Sequence, residues 1–228
     1  MFPIKDSIPA ERFPYVNYVI IILNVVVFIY EMSLGMRLNL FFLEYGFIPK
    51  KLFMPNDIVT LKEKLVPAFT SMFMHGNLFH LLSNMYFLFI FGDNVEDRFG
   101  HFKYIIFYLF FGLIALLTQT LLFPDAIIPT IGASGAVAGV MGAYFIMFPH
   151  AYIKTLLIII IYITIVDIPA VIFLGLWFFI QFINGSLQSM AGLQGGVAWW
   201  AHIGGFVIGI LFGSYYSKGR RGSRFICA

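Results

Sequence analysis

Residue types able to make a nucleophile and its base stand at the starts of two apolar segments. They are Ser134 in Gly132-Ala133-Ser134-Gly135 and His202 in Ala201-His202-Ile203-Gly204-Gly205. Polar and ionisable groups at membrane depth are costly, so placement alone makes each a functional candidate. A serine hydroxyl becomes a nucleophile when an adjacent imidazole takes its proton. A third constellation lies in the run from Met74 to Asn84, where His80 and Asn84 are four apart and share one face of a helix. An imidazole N–H, a carboxamide N–H2 and the backbone N–H of Ser134 are donors suited to the oxyanion of acyl transfer.

Each residue alone has a plainer reading. A serine opening a helix can cap its first turn or bond back to its own backbone. The Gly-x-Ser-x-Gly elbow of soluble hydrolases is not matched, because Ala136 stands where the second glycine belongs. A membrane histidine can be a proton relay or a packed polar residue. His80 and Asn84 could clamp two helices, or join His75 or His202 around a metal. That last reading lacks a His-Glu-x-x-His pattern, and neither metal nor cofactor is expected. Taken jointly, the residues are far more specific.

The elements that must hold them are membrane helices. With 61% hydrophobic and 11% charged residues, the 228-residue chain carries too little charge to cover a soluble globule. The formal charge is +3, and Lys218, Arg220, Arg221 and Arg224 cluster near the C-terminus. That is an orientation signal and argues against nucleic acid as a partner. A single cysteine, Cys227, excludes an internal disulfide framework.

Apolar segments cover 16–30, 78–91, 102–123, 132–148, 153–166, 169–183 and 199–216. The first is followed by Glu31, Met32 and Arg37 and not by a cleavage site, so a retained helix is expected. Lys5, Arg12 and the basic tail place both ends in the cytoplasm, which requires an even number of crossings. Connections 124–131 and 184–198 contain no Lys or Arg, as suits the outer face, whereas the five basic residues of the long 34–77 segment are weak voters. Segment 153–166 is short, rich in β-branched residues and closed by Asp167-Ile168-Pro169, which suits an extended, interfacial or re-entrant path. With it removed, six helices remain and Ser134 and His202 both start at the outer face. Ala201, Gly205, Gly209 and Gly213 form a small-residue stripe, as do Gly135, Gly139 and Ala143, which lets two membrane helices approach backbone to backbone. The expected division is a single domain over 1–216 and a basic cytoplasmic tail over 217–228.

The three motifs, in this order, resemble those of the rhomboid intramembrane serine proteases, over roughly residues 14–216. The resemblance implies an all-α membrane protein: a six-transmembrane-helix bundle with a long membrane-associated first loop. It implies a Ser–His dyad with no third acid, in which Ser134 is the nucleophile and His202 the general base. His80, Asn84 and the Ser134 backbone would form the oxyanion hole. Glu96-Asp97-Arg98-Phe99-Gly100, after the second helix, is similar to a structural motif of the family, and His75 matches a position that braces the first loop. Phe41, Phe42, Phe47, Phe53 and Met54 suit a first loop lying partly in the outer leaflet.

Two positions depart from the family. Where some members stack an aromatic ring on the histidine this chain has Ala138, leaving Tyr144, Trp199 and Trp200 as candidates to hold the imidazole. The 153–166 insert resembles a recurring bacterial variant. The expected substrates are transmembrane segments of other proteins, cleaved near the outer face after local unwinding, with helix 169–183 (Trp177, Phe178, Phe179) as a lateral gate. The expected location is a bacterial inner membrane with both termini cytoplasmic, the bilayer being the other partner. Two further readings are an inactive rhomboid-like client-binding protein and a transporter or proton channel using His80, His202 and Asp167. The transporter should show repeated, broken helices in two halves, and no such repeat is found.

Overall fold

The computed structural model describes residues 2–159, 162–193 and 195–221. Among them, six long helices carry the fold: α1 (Tyr15–Ser33), α5 (Leu78–Phe99), α6 (His101–Leu122), α7 (Ser134–Met147), α8 (Ala170–Met190) and α9 (Trp199–Arg221). The chain is a mostly helical, multi-pass membrane protein. By length and composition α1, α6 and α8 are each apolar enough to cross a membrane, and α7 is a shorter apolar helix.

The first loop is built from short helices α2 (Leu38–Tyr45), α3 (Pro49–Phe53) and α4 (Leu61–Thr70), flanked by 3-10 turns at Gly35–Arg37 and Ser71–Phe73. Helix α4 begins with a reciprocal cap between Thr60 and Glu63. Of the loop's aromatic residues, Phe47 is buried and Phe53 lies exposed. Phe41 packs its ring against Tyr30 of α1 and Tyr45 of α2.

Helix α7 is the centre of the bundle. It is apolar all round, as suits a helix in a protein core or a membrane, and from Gly135 to Tyr144 every residue is buried. Its glycines explain the closeness of α9. A Cβ on Gly205 would sit 2.1 Å from the Gly135 carbonyl oxygen, and one on Gly142 would sit 2.0 Å from that of Phe206. Only residues without a side chain let the two backbones meet in this way.

Helix α5 runs on through Glu96, Asp97 and Arg98 to Phe99, past the end of its apolar segment. Charge marks where a chain leaves the apolar layer but does not stop a helix; Gly100, with a φ of +77°, does. Inside the last turn, Glu96 accepts the backbone N–H groups of Val16 (3.0 Å) and Asn17 (2.7 Å) at the start of α1. His101 at the start of α6 contacts the same carboxylate.

Among the described residues, segment 153–166 forms no helix. Its β-branched residues build an antiparallel hairpin of β2 (Tyr152–Ile159) and β3 (Tyr162–Pro169), and β1 (Phe2–Asp6) adds along the other edge of β2. A three-stranded sheet thus supplements the helical fold. At its base Lys154 pairs with Asp167 at 3.6 Å. Helix α9 continues past 216 to Arg221, while Arg224 and Cys227 of the expected tail lie outside the described residues.

Candidate active site

Ser134 is the first residue of α7, and the turn before it is shaped by Gly132. Gly132 has a φ of +127°, and a Cβ there would meet the His80 imidazole, 2.7 Å from Nε2 and 3.6 Å from Ser134 Oγ. Ring and hydroxyl therefore flank one point that only glycine leaves open. The Gly132 N–H is held by the Ser71 carbonyl at 2.8 Å, tying the turn to the first loop. The N–H groups of the first turn of a helix lack intrahelical partners, so those of α7 are available at Ser134.

His80 and Asn84 sit on the opening turns of α5. Asn77 caps that helix, its side-chain oxygen accepting the His80 N–H at 2.8 Å. His80 is half-buried and its ring meets that of His75 edge-on, with centroids 5.0 Å apart. Asn84 is buried, and its Nδ2 has no hydrogen-bond partner among the described residues. An unpaired buried amide donor is costly, and this one lines a cavity.

That cavity, about 820 Å³, is lined by Ser134, His202, His80 and Asn84 together. The structure thus gathers all four side chains from α5, α7 and α9. The Ser134 and His202 side chains form no hydrogen bond with each other among the described residues. Catalytic hydrogen bonds are often long without substrate and tighten in the complex.

The imidazole of His202 is gripped from α8. Its Nδ1 lies 2.8 Å from Gln181 Oε1, and both side chains are buried. Trp177, one turn earlier on α8, lies with its ring 5.9 Å from the imidazole at an interplanar angle of 30°. Trp199 meets it edge-on at 6.0 Å. Of the three rings expected to hold the histidine, only Trp199 does so. Tyr144 instead donates to Asp6 Oδ2 (2.6 Å) and Trp200 to Ser189 Oγ (2.9 Å). Ala138 is buried and faces α9: a Cβ on Gly205 would be 3.4 Å from that of Ala138.

Gln181 escaped the sequence reading, although it is the one polar side chain between residues 170 and 183. Glu31 did too. Its buried carboxylate accepts the His75 backbone N–H at 3.2 and 3.3 Å, which ties the first loop to α1. His75 itself, between the 3-10 turn and α5, is buried with its ring against that of His80. Burial, with His80 beside it, pushes its pKa down to about 3.

This chain is similar to known proteins of one family. The Rhomboid domain family matches residues 62–219. Rhomboid protein 1, mitochondrial, of Saccharomyces cerevisiae is 31% identical over 182 residues, covering 76% of this chain and 47% of that protein. Rhomboid-like protein 11, chloroplastic, of Arabidopsis thaliana is 46% identical over 70 residues, covering 31% of this chain and 25% of that protein. The chain spans less than half the length of these relatives.

Proposed function

The chain belongs to the rhomboid family, and from that premise we propose that it is an intramembrane serine endopeptidase working through Ser134 and His202. The observation that carries this reading is the convergence of Ser134, His202, His80 and Asn84 on one cavity. His202 Nε2 takes the Ser134 hydroxyl proton as Oγ attacks a peptide carbonyl, and the oxyanion is received by the Ser134 N–H, His80 and Asn84. The proton then passes from His202 to the leaving amine, and water admitted to the cavity hydrolyses the acyl-enzyme.

The substrate is a transmembrane segment of another protein, unwound where it meets the cavity. Glycine or proline near that point lowers the cost of unwinding by about 1 to 3 kcal/mol per residue. The proposed topology has six crossings, both termini cytoplasmic and the cavity open to the outer face. Three contacts support it: Val16 to Glu96, Phe99 to Tyr216, and Ala151 to Ala170 all lie at the end of the bundle away from Ser134. The bacterial inner membrane remains the proposed location. Short loops and a six-helix form support it, and the two relatives above are named as mitochondrial and chloroplastic.

A second reading, a client-binding rhomboid without catalysis, draws on the Ser134 hydroxyl, which has no hydrogen-bond partner among the described residues. One experiment separates the two. The detergent-solubilised protein is treated with a fluorophosphonate probe beside Ser134→Ala and His202→Ala. Labelling of wild type that both variants lose is expected; an unlabelled wild type, or a label that survives Ser134→Ala, would sink the proposal.

A further inference from the structure

We propose that Gln181 is the positioning residue of this dyad: its amide oxygen fixes the His202 tautomer that leaves Nε2 free to take the Ser134 proton. The inference rests on the dyad reading and adds the group that stands where a triad would have its acid.

The orientation of the Gln181 amide is settled by its second contact. Its Nε2 donates to the Trp177 carbonyl oxygen at 3.3 Å, while Oε1 faces His202 Nδ1 at 2.8 Å. A flipped amide would set Oε1 against that carbonyl, two acceptors with no proton between them. Since Oε1 can only accept, Nδ1 must carry the proton. A neutral imidazole with its proton on Nδ1 has its lone pair on Nε2, which is what a general base for Ser134 requires.

The same turn of α8 holds the ring as well as its tautomer. Trp177 and Gln181 are four residues apart, so one packs against the imidazole while the other bonds its edge. Trp199 closes a further side. In the proposed reaction the Ser134 proton moves to Nε2 as Oγ bonds the carbonyl carbon. The Nδ1 proton stays on the imidazolium, still donated to Gln181. The Nε2 proton then leaves with the amine as the C–N bond breaks. An amide carries no charge, so Gln181 orients the ring without a carboxylate's stabilisation of the imidazolium.

The tautomer can be read in the unaltered protein by 15N NMR of histidine-labelled material, with the His202 signals assigned by their loss in His202→Ala. A bare Nε2 and a protonated Nδ1 are expected, and the opposite tautomer overturns the proposal whatever the variants do. Fluorophosphonate labelling gives the functional test. Gln181→Met should slow it by roughly tenfold to a hundredfold, the range seen when the partner orienting a metal-bound imidazole is removed. Gln181→Glu should recover labelling at alkaline pH, with the acid limb of the pH–rate profile moved upward, because a carboxylate favours the imidazolium. A side chain needed only for packing would not move that limb. If Gln181→Met labels at the wild-type rate while Ser134→Ala and His202→Ala are silent, the role of Gln181 is refuted and the dyad stands. Labelling that survives Ser134→Ala refutes the dyad, and the role of Gln181 falls with it.

Discussion

Gly209 of α9 lies so close to Gly139 of α7 that a Cβ built on it would be 1.9 Å from the Gly139 carbonyl oxygen. The obstacle is backbone, which cannot turn aside as a side chain can. Gly209→Ala must therefore separate the two helices that carry Ser134 and His202. Overpacking of this kind costs about 1–3 kcal/mol. The expected result is a lower Tm in detergent together with slower fluorophosphonate labelling. Gly175→Ala is the control: the nearest atom to its Cβ is Phe145 Cε2 at 3.9 Å. A Gly209→Ala protein as stable as Gly175→Ala would refute the close packing.

The buried His75 predicts the direction of a pH dependence. In the unfolded chain its imidazole takes up a proton near 6.5, but in the fold only near 3. Between those values the unfolded state binds more protons, so stability falls as pH is lowered. The contribution is complete above pH 6.5 and is lost progressively toward about 3. Melting curves between pH 7.5 and 5 should show a Tm that drops more steeply for wild type than for His75→Gln. Parallel slopes would remove His75 from the account.

The residues of the site were legible for one physical reason: a hydroxyl, an imidazole and a carboxamide have little place at membrane depth without a task. The glycine stripes were legible because backbone approach leaves a four-residue period. Gln181 obeys the same rule as Ser134, yet its partner depends on which face α8 turns to α9, and an isolated polar residue does not encode a crossing. Tyr144 shows the converse. It lies nearly three turns into α7, about 15 Å along the helix from Ser134, so its position on the helix carries it away from His202, and its hydroxyl donates to Asp6 of β1. The β-branched run of 153–166 announced extended backbone, but its pairing with Phe2–Asp6 joins residues some 150 apart in sequence, beyond any local pattern.

The base of the hairpin makes the topology testable. The Ala170 N–H bonds the Ala151 carbonyl at 2.8 Å and Tyr152 pairs with Pro169, so the chain leaves α7 and enters α8 at one point. In a Cys227→Ser background, Lys154→Cys should react with a membrane-impermeant maleimide only after cells are permeabilised. Val197→Cys, exposed beside the cavity, should react in intact cells. Reaction of both from one side would overturn the proposed topology.

Helix α8 presents two aromatic faces with different tasks. Trp177 and Phe178 point inward, Trp177 against His202 and both against Phe206. Phe179, 57% exposed, points away from the core. If α8 is the lateral gate, the outward face meets an arriving transmembrane helix while the inward face holds the imidazole. Phe179→Ala should then change cleavage of a single-spanning reporter several-fold and leave fluorophosphonate labelling as in wild type, since the small probe needs no gate. Trp177→Ala should slow both reactions, by up to about tenfold, because a ring pair contributes about 0.5–1.5 kcal/mol beyond its buried area. Reporter cleavage at the wild-type rate in Phe179→Ala would remove the outward face of α8 from the path of the substrate.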